Sequence, residues 1–279
     1  FNLIELGAGN GEMMRVLVNT FKKFPQFNRS CKINILEKSE LLKRVQKTNI
    51  QDAKIKWVND LNQLDDFPCI FIANEFFDAL PIKQFLKKEK NWYERYVNCK
   101  KLEYLDIPFD MQKFEKEIKF KISYKQTFIE YSPLATEYLK TIINKIKLNN
   151  GGILIIDYAY LEREMKNTLQ AVYNHKYCDV LKGFRNSDIT YNLSFNLINM
   201  IIKNLGPCSS LSTTQKKFLT ELGIMDRAEI LSKNMEFSKK ANIYFRIKRL
   251  IDKNQMGHLF KVMFITNHKN KFKLGFKND

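Results

Sequence analysis

The sequence predicts an α/β protein with an open, mostly parallel sheet and helices on both faces, and three observations carry that prediction. Short apolar runs of strand length recur through the first half of the chain, at 3–6, 32–37, 54–58 and 69–73. Between them lie stretches with apolar residues at helical spacing, and such alternation builds βα units and a parallel sheet. The third observation is the first junction. Leu3, Ile4 and Leu6 run straight into Gly7, Gly9 and Gly11, and residues 12–21 then place Met13, Met14, Leu17, Val18 and Phe21 at helical spacing. Strand, glycine turn and helix form the corner at which open sheets hold nucleotides.

The remaining elements follow in order. Residues 32–37 read as a second strand ending in the acid Glu37, and 39–47 as a short helix with Ser39 as its N-cap. A third strand at 54–58 is followed by Asn59 and Asp60. A buried fourth strand at 69–73 is followed by Asn74, Glu75, Phe76, Phe77 and Asp78. Between 82 and 129 the pattern changes to alternating stretches such as 92–97, which predicts an antiparallel hairpin inserted near the ligand-binding edge. A helix is expected over 133–148, broken by Asn149-Asn150-Gly151-Gly152, and a fifth, fully apolar strand over 153–156, ending in Asp157-Tyr158. Residues 159–190 read as an irregular polar stretch. Its Tyr173, Tyr177, Val180, Leu181 and Phe184 argue against disorder. A helix at 193–205, a sixth strand at 206–213, helices through 214–250 and a last strand at 259–266 complete the reading. The expected domains are a core over 1–213 with a β-rich insertion at 82–129, a helical subdomain over 214–256, and a final core strand with a basic tail over 257–279.

Composition bounds the function. The formal charge of +17 invites a nucleic-acid reading, but the lysines are spread along the whole chain among many Asn and Ile, and no RNA-binding or zinc-finger signature is present. No nucleic-acid partner is expected. No apolar run reaches spanning length, so no membrane partner is expected either. Five scattered cysteines without a C-x-x-C pair fit a reducing compartment rather than a disulfide framework or structural zinc. His175, His258 and His268 are too few and too scattered for a metal site.

The glycine turn reads Glu5-x-Gly7-x-Gly9-x-Gly11. A dinucleotide fingerprint places its third glycine at position 12, where this chain has Glu12, a carboxylate that repels a pyrophosphate. No Gly-Lys-Ser/Thr follows, which removes the phosphate loop. S-adenosylmethionine carries no phosphate, and a glycine turn flanked by acids suits it. Glu37 stands where a carboxylate accepts hydrogen bonds from both ribose hydroxyls, Asp60 where one takes the adenine amino group, and Asn74 and Glu75 near the reacting methyl. Any one of these acids reads equally well as an ordinary strand-end residue; the joint pattern carries the weight. Glu130 and Asp157 also read as structural acids at strand ends.

Several segments together resemble the MidA-like family of class I S-adenosylmethionine-dependent methyltransferases, which includes the mitochondrial complex I assembly methyltransferase. The matching stretches are Glu-Leu-Gly-Ala-Gly-Asn-Gly (5–11), Ala-Asn-Glu-Phe-Phe-Asp-Ala-Leu-Pro-Ile (73–82), Trp-Tyr-Glu-Arg-Tyr-Val (92–97), Ile-Glu-Tyr-Ser-Pro (129–133) and Gly-Gly-Ile-Leu-Ile-Ile-Asp-Tyr (151–158). His175-Lys176, Asp188-Ile-Thr190, Thr214-Gln215 and Met256-Gly257 follow in the family's order. The resemblance implies a Rossmann-like methyltransferase sheet with a β-hairpin insertion and a helical insertion before the last strand. It implies S-adenosylmethionine as cofactor, held by Glu5, Gly7, Gly9, Gly11, Glu37, Asp60 and Asn74. It implies methyl transfer to arginine of a protein, such as a respiratory complex I subunit; by their strand-end positions Asn74, Glu75, Asp78, Glu130 and Asp157 are assigned to the substrate side, and no metal is expected. It admits a homodimer, and places the protein in the mitochondrial matrix of a eukaryote or the cytoplasm of a bacterium. The family carries a further N-terminal region, so such a segment is expected ahead of Phe1. Three positions depart from the family pattern: Ala159 where a glycine is usual, Asn167 in place of an acid before Thr168, and Ser194 in place of an acid before Phe195. These bear on the substrate side more than on the cofactor side, and Ser194, together with the lack here of the family's N-terminal region, favours the alternative, a non-catalytic assembly protein that keeps the fold.

Overall fold

The computed structural model describes residues 1–52, 54–174, 176–183 and 186–277; His175 and Phe184 lie outside them. In chain order the elements begin with β1 (Asn2–Leu6), α1 (Glu12–Phe21), α2 (Pro25–Ser30), β2 (Lys32–Leu36), α3 (Glu40–Ile50), β3 (Lys56–Val58) and, after a 3-10 turn at Leu61–Gln63, β4 (Cys69–Asn74). Then come β5 (Lys83–Lys88), β6 (Asn91–Asn98), β7 (Glu103–Pro108), α4 (Met111–Ile118), β8 (Phe128–Tyr131), α5 (Pro133–Asn149) and β9 (Gly151–Tyr160). They continue as β10 (Gln170–Tyr173), β11 (Lys176–Cys178), α6 (Val180–Gly183), β12 (Asp188–Thr190), β13 (Leu193–Ser194) and α7 (Phe195–Leu205). The chain closes with β14 (Cys208–Thr214), α8 (Gln215–Glu221), α9 (Ile224–Ser232), α10 (Phe237–Ile251), α11 (Met256–Leu259) and β15 (Phe260–Asn267). No helix among the described residues is long and apolar enough to cross a membrane. The five cysteines are free thiols.

Two compact units divide the chain. The first takes 1–76, 141–157 and 207–279, and the second 77–140 and 158–206. These run across the expected boundaries: the helices within 214–256 share a unit with the last strand, and the second unit extends well beyond 82–129.

The first unit is the predicted sheet. Its order is β14-β15-β9-β4-β1-β2-β3, with β9-β4-β1-β2-β3 all parallel and β14 antiparallel to β15. From β1 the chain steps outward through β2 and β3, then returns to the other side of β1 at β4. That reversal is a topological switch point, and ligands bind outside the carboxyl ends of the strands there. Met14 and Val18 of α1 pack with Ile33 and Ile35 of β2 and Ile50 of α3. Helix α1 spans the predicted 12–21. Ser39 caps α3 as predicted, accepting a hydrogen bond from Leu42 N at 3.3 Å, and the helix runs one turn further than expected, to Ile50.

The fifth strand is longer than its apolar run of 153–156. The glycines expected to end the preceding helix are already strand, with Gly151 opposite Cys69 and Gly152 opposite Ile70. Asn150, at φ 65, takes the left-handed residue past the helix end.

The second unit holds an antiparallel sheet of order β7-β6-β5-β8. The hairpin expected at 82–129 is its β5–β6–β7 meander. Phe114 of α4 packs between Phe85 and Tyr131, with ring centroids 4.9 and 5.0 Å away, and Leu197 and Ile201 of α7 join this core. The stretch 159–190, expected to be irregular, is instead largely ordered. A second antiparallel sheet of order β11-β10-β12 forms there, and the end of β9 (Ala159–Tyr160) pairs with β13. These strands have two to four residues each, too few for a period-2 pattern to register. The helix expected at 193–205 starts at Phe195, because Leu193 and Ser194 belong to β13.

Candidate functional site

The carboxyl ends of the parallel strands in the first unit carry most of the predicted site. In strand order they present Asp60 after β3, Glu37 after β2, the glycine turn after β1, Asn74 and Glu75 at β4, and Asp157 in β9. Gly7, Gly9 and Gly11 have φ of 64°, 54° and 85°, the left-handed region that L residues avoid. The turn is closed by Gly7 N donating to Leu36 O at 3.0 Å and Gly11 N to Ala8 O at 2.7 Å. A Cβ on Gly7 would lie 2.8 Å from the ring of Phe76, whereas one on Gly9 would meet no atom within 4 Å. The turn is therefore packed at Gly7 and opens into space at Gly9.

Glu5 is buried within β1. It lies opposite Ile35 in register, so its side chain shares the sheet face covered by α1 and α3. Burial pushes its carboxyl up from near 4.5 to about 7, and Oε2 has no hydrogen-bond partner. The sign of the consequence is fixed by linkage. Below pH 4.5 Glu5 is neutral in both the folded and unfolded chain; between pH 4.5 and 7 the unfolded chain sheds a proton that the folded one keeps. Stability therefore falls as pH rises through that window, and the full penalty stands above pH 7. Glu5→Gln is expected to raise unfolding free energy by up to about 3 kcal/mol at pH 8 and to change little at pH 4. Urea melts at the two pH values measure this; an equal effect at both would exclude the ionisation as its source.

Glu37 is buried at the end of β2. Its Oε1 accepts from Ser39 N at 2.9 Å and Oε2 from Gln46 Nε2 at 3.0 Å. Asp60 caps the Leu61–Gln63 turn, with Oδ1 accepting from Asn62 N at 2.7 Å, and Gln63 returns a bond to its backbone. Asn74 Nδ2 donates to Glu75 Oε1 at 3.4 Å. Glu75 is exposed, with φ of 49°, and its N–H donates to Ile156 O at 3.0 Å. A non-glycine residue in this region carries backbone strain, which concentrates at functional sites. Asp157, the residue after Ile156, is fully buried.

Asp78 and Glu130 belong to the second unit. Asp78 is buried, and its carbonyl accepts from Tyr191 N at 3.3 Å. Glu130 is the centre of a polar cluster. Its carboxylate accepts from Gln84 Nε2 at 2.9 Å, from the N–H and hydroxyl of Thr168 and from Leu169 N at 3.0 Å. Such saturation is what the reading of Glu130 as a structural acid requires. Glu130→Gln would turn an amide toward donors and is expected to cost about 2–4 kcal/mol, read from a urea melt. Two of the departures from the family pattern take part in this unit's structure. Asn167 Oδ1 accepts from the same Gln84 amide at 3.2 Å, and Ser194 caps α7, accepting from Leu197 N at 3.2 Å.

Sequence reasoning missed two residues. Gln46 links the turn to Glu37, and Phe76 backs Gly7. A glutamine in a polar helix carries no signal of burial, and Phe76 reads as core. No group of three or more His, Cys, Asp or Glu among the described residues could hold a metal.

Comparison with known proteins agrees with the sheet and its turn. Residues 1–214 match the family described as "Putative S-adenosyl-L-methionine-dependent methyltransferase". Among curated proteins, the chain is 24% identical to the protein arginine methyltransferase NDUFAF7, mitochondrial, of Mus musculus, over 96% of this chain and 67% of that one. It is 25% identical to the Xenopus tropicalis protein of the same name (95% and 67%) and 26% to the Caenorhabditis elegans homolog (81% and 58%). The chain thus spans about three fifths to two thirds of these relatives. Two crystal structures of superfamily proteins from Burkholderia thailandensis share the fold at 22% identity. One has a TM-score of 0.79 over 99% of this chain and 76% of its own. The other, bound to S-adenosyl-homocysteine, has a TM-score of 0.75 over 99% and 72%. With the family matched over residues 1–214, which hold the glycine turn and every strand of its sheet but β15, the chain belongs to the S-adenosyl-L-methionine-dependent methyltransferases.

Proposed function

We propose that this protein transfers methyl groups from S-adenosyl-L-methionine to arginine of a protein acceptor. The residues at the sheet edge fit the cofactor. The open space at Gly9 admits a ligand against bare backbone, and the unpartnered Oε2 of buried Glu5 offers an acceptor where an ammonium group would supply the missing donor. Glu37 accepts from the ribose hydroxyls, Asp60 serves the adenine side, and Asn74 the reacting end. When bound, the cofactor supplies an electrophilic methyl on a sulfonium.

The observation that carries the arginine reading is the pair of acids just after β4 and within β9. Glu75 is exposed and held by a strained backbone next to Asn74, and Asp157 follows the residue that bonds Glu75 N. An arginine side chain stays protonated at neutral pH and presents a planar fork, so orienting it and taking up its proton calls for carboxylates. Glu75 and Asp157 are assigned to that task, with Asn74 orienting the acceptor; within the second unit Glu130 holds the segment at 167–169. The names of the curated relatives support arginine, and the family resemblance supports a respiratory complex I subunit as acceptor.

The test incubates the purified protein with methyl-tritiated S-adenosylmethionine and total protein of its source, then hydrolyses and chromatographs the product. Label in methylarginine, lost in Glu75→Gln, is expected. Label confined to other residues overturns the arginine reading. No label from a chain that binds S-adenosylhomocysteine supports the non-catalytic assembly role.

A further inference from the structure

We propose that Gln46 is a positioning residue of the cofactor site, fixing the carboxylate of Glu37 and the peptide of Gly9 in the orientation that receives the ribose. The proposal rests on reading Glu37 as the ribose ligand. Gln46 is a side chain of α3 with no exposed surface at all. Its Nε2 donates to Gly9 O at 2.9 Å and to Glu37 Oε2 at 3.0 Å, and its Oε1 accepts from Trp57 Nε1 at 2.9 Å.

The chemistry of these groups fixes the amide's direction. An indole N–H only donates, so the amide oxygen must face Trp57 and the NH₂ must face the two oxygens. An amide NH₂ has two protons, and both are used. Each polar atom of this side chain is thus engaged in the link.

The effect falls on Glu37. A carboxylate has about four lone-pair sites. Ser39 N takes one on Oε1 and Gln46 takes one on Oε2. Each oxygen keeps one further site, the number that two vicinal ribose hydroxyls need. Because the same NH₂ also holds Gly9 O, the turn and the carboxylate are set relative to each other rather than separately. Trp57 extends the link to β3, where its ring packs under the α1–α3 layer.

The experiment measures S-adenosylhomocysteine binding by titration calorimetry, which needs no catalysis. Gln46→Met keeps the length and volume of the side chain and removes every hydrogen bond. It is expected to weaken binding about tenfold. In a Glu37→Ala chain the same substitution is expected to cost no more than about twofold, because its main target is gone. Trp57→Phe removes the donor that anchors the amide oxygen while leaving Glu37 and Gly9 intact, so the amide is held at its NH₂ end alone, and about threefold weaker binding is expected. With Trp92→Phe leaving Trp57 as the single indole, ligand binding should shift Trp57 emission, and Gln46→Met should abolish the shift. If Glu37→Ala binds like the unaltered chain, the ribose reading fails. If Glu37→Ala loses binding while Gln46→Met and Trp57→Phe keep it, the positioning role fails, as it does if the Gln46 and Glu37 losses are additive.

Discussion

Gly151→Ala is expected to destabilise the first unit severely. Gly151 has φ of +119°, and a Cβ there would lie 1.8 Å from the carbonyl oxygen of Cys69 and 2.9 Å from its nitrogen. Neither backbone can retreat: Cys69 N donates to Asn150 O at 3.2 Å, and Gly151 is the first partner in the β4–β9 register. On its other side Gly151 O accepts from the Thr266 hydroxyl at 2.6 Å, which ties the same point to β15. The combination of a forbidden dihedral and a backbone clash should cost more than about 4 kcal/mol, a large share of a domain's total stability. Circular dichroism should show either no cooperative melt or a midpoint lowered by more than about 10 °C. A variant melting within a few degrees of the unaltered chain would mean that β9 begins elsewhere.

Gly9→Leu should have the opposite profile. The backbone at Gly9 is also left-handed, but an added Cβ meets nothing within 4 Å. The fold should lose only the dihedral cost, about 1–2 kcal/mol, or a few degrees of melting temperature. In the proposed cofactor site, the space the side chain fills is the space the ligand needs. Binding of S-adenosylhomocysteine is therefore expected to fall more than about 100-fold, read by calorimetry on a chain that still melts cooperatively. Binding within about threefold of the unaltered chain would place the cofactor away from the turn. Together the two glycines separate what holds the sheet from what the sheet holds.

The parts of the fold that the sequence reveals are those whose pattern is local. Helix α1 and the cap at Ser39 follow from spacing and from one hydroxyl. The strand-end acids follow from apolar runs that stop at a carboxylate. The hidden parts depend on partners far along the chain. Gly151 and Gly152 look like a break because nothing local says that β4 lies opposite them. The β10–β12 strands are short, and their pairing is visible only when residues 170–173 meet 176–178 and 188–190. Glu130 reads both as a candidate for chemistry and as a structural acid, and the way Thr168 and Leu169 hold its carboxylate is visible only in the fold. Gln46 reads as a surface glutamine until Gly9, Glu37 and Trp57 claim each of its polar atoms.

The interruption of the sheet also shapes how the protein is born. Strands β1 to β4 leave the ribosome well before the residues of β9 that must cover the open edge of β4. At the usual pace of synthesis that edge waits on the order of ten seconds, with Phe71 and Ala73 not yet covered. An unpaired parallel edge of apolar residues is a template for pairing with the wrong chain. Closing the long loop costs little free energy at equilibrium, so the hazard is one of timing, and chaperone demand during translation should be set by the wait between β4 and β9.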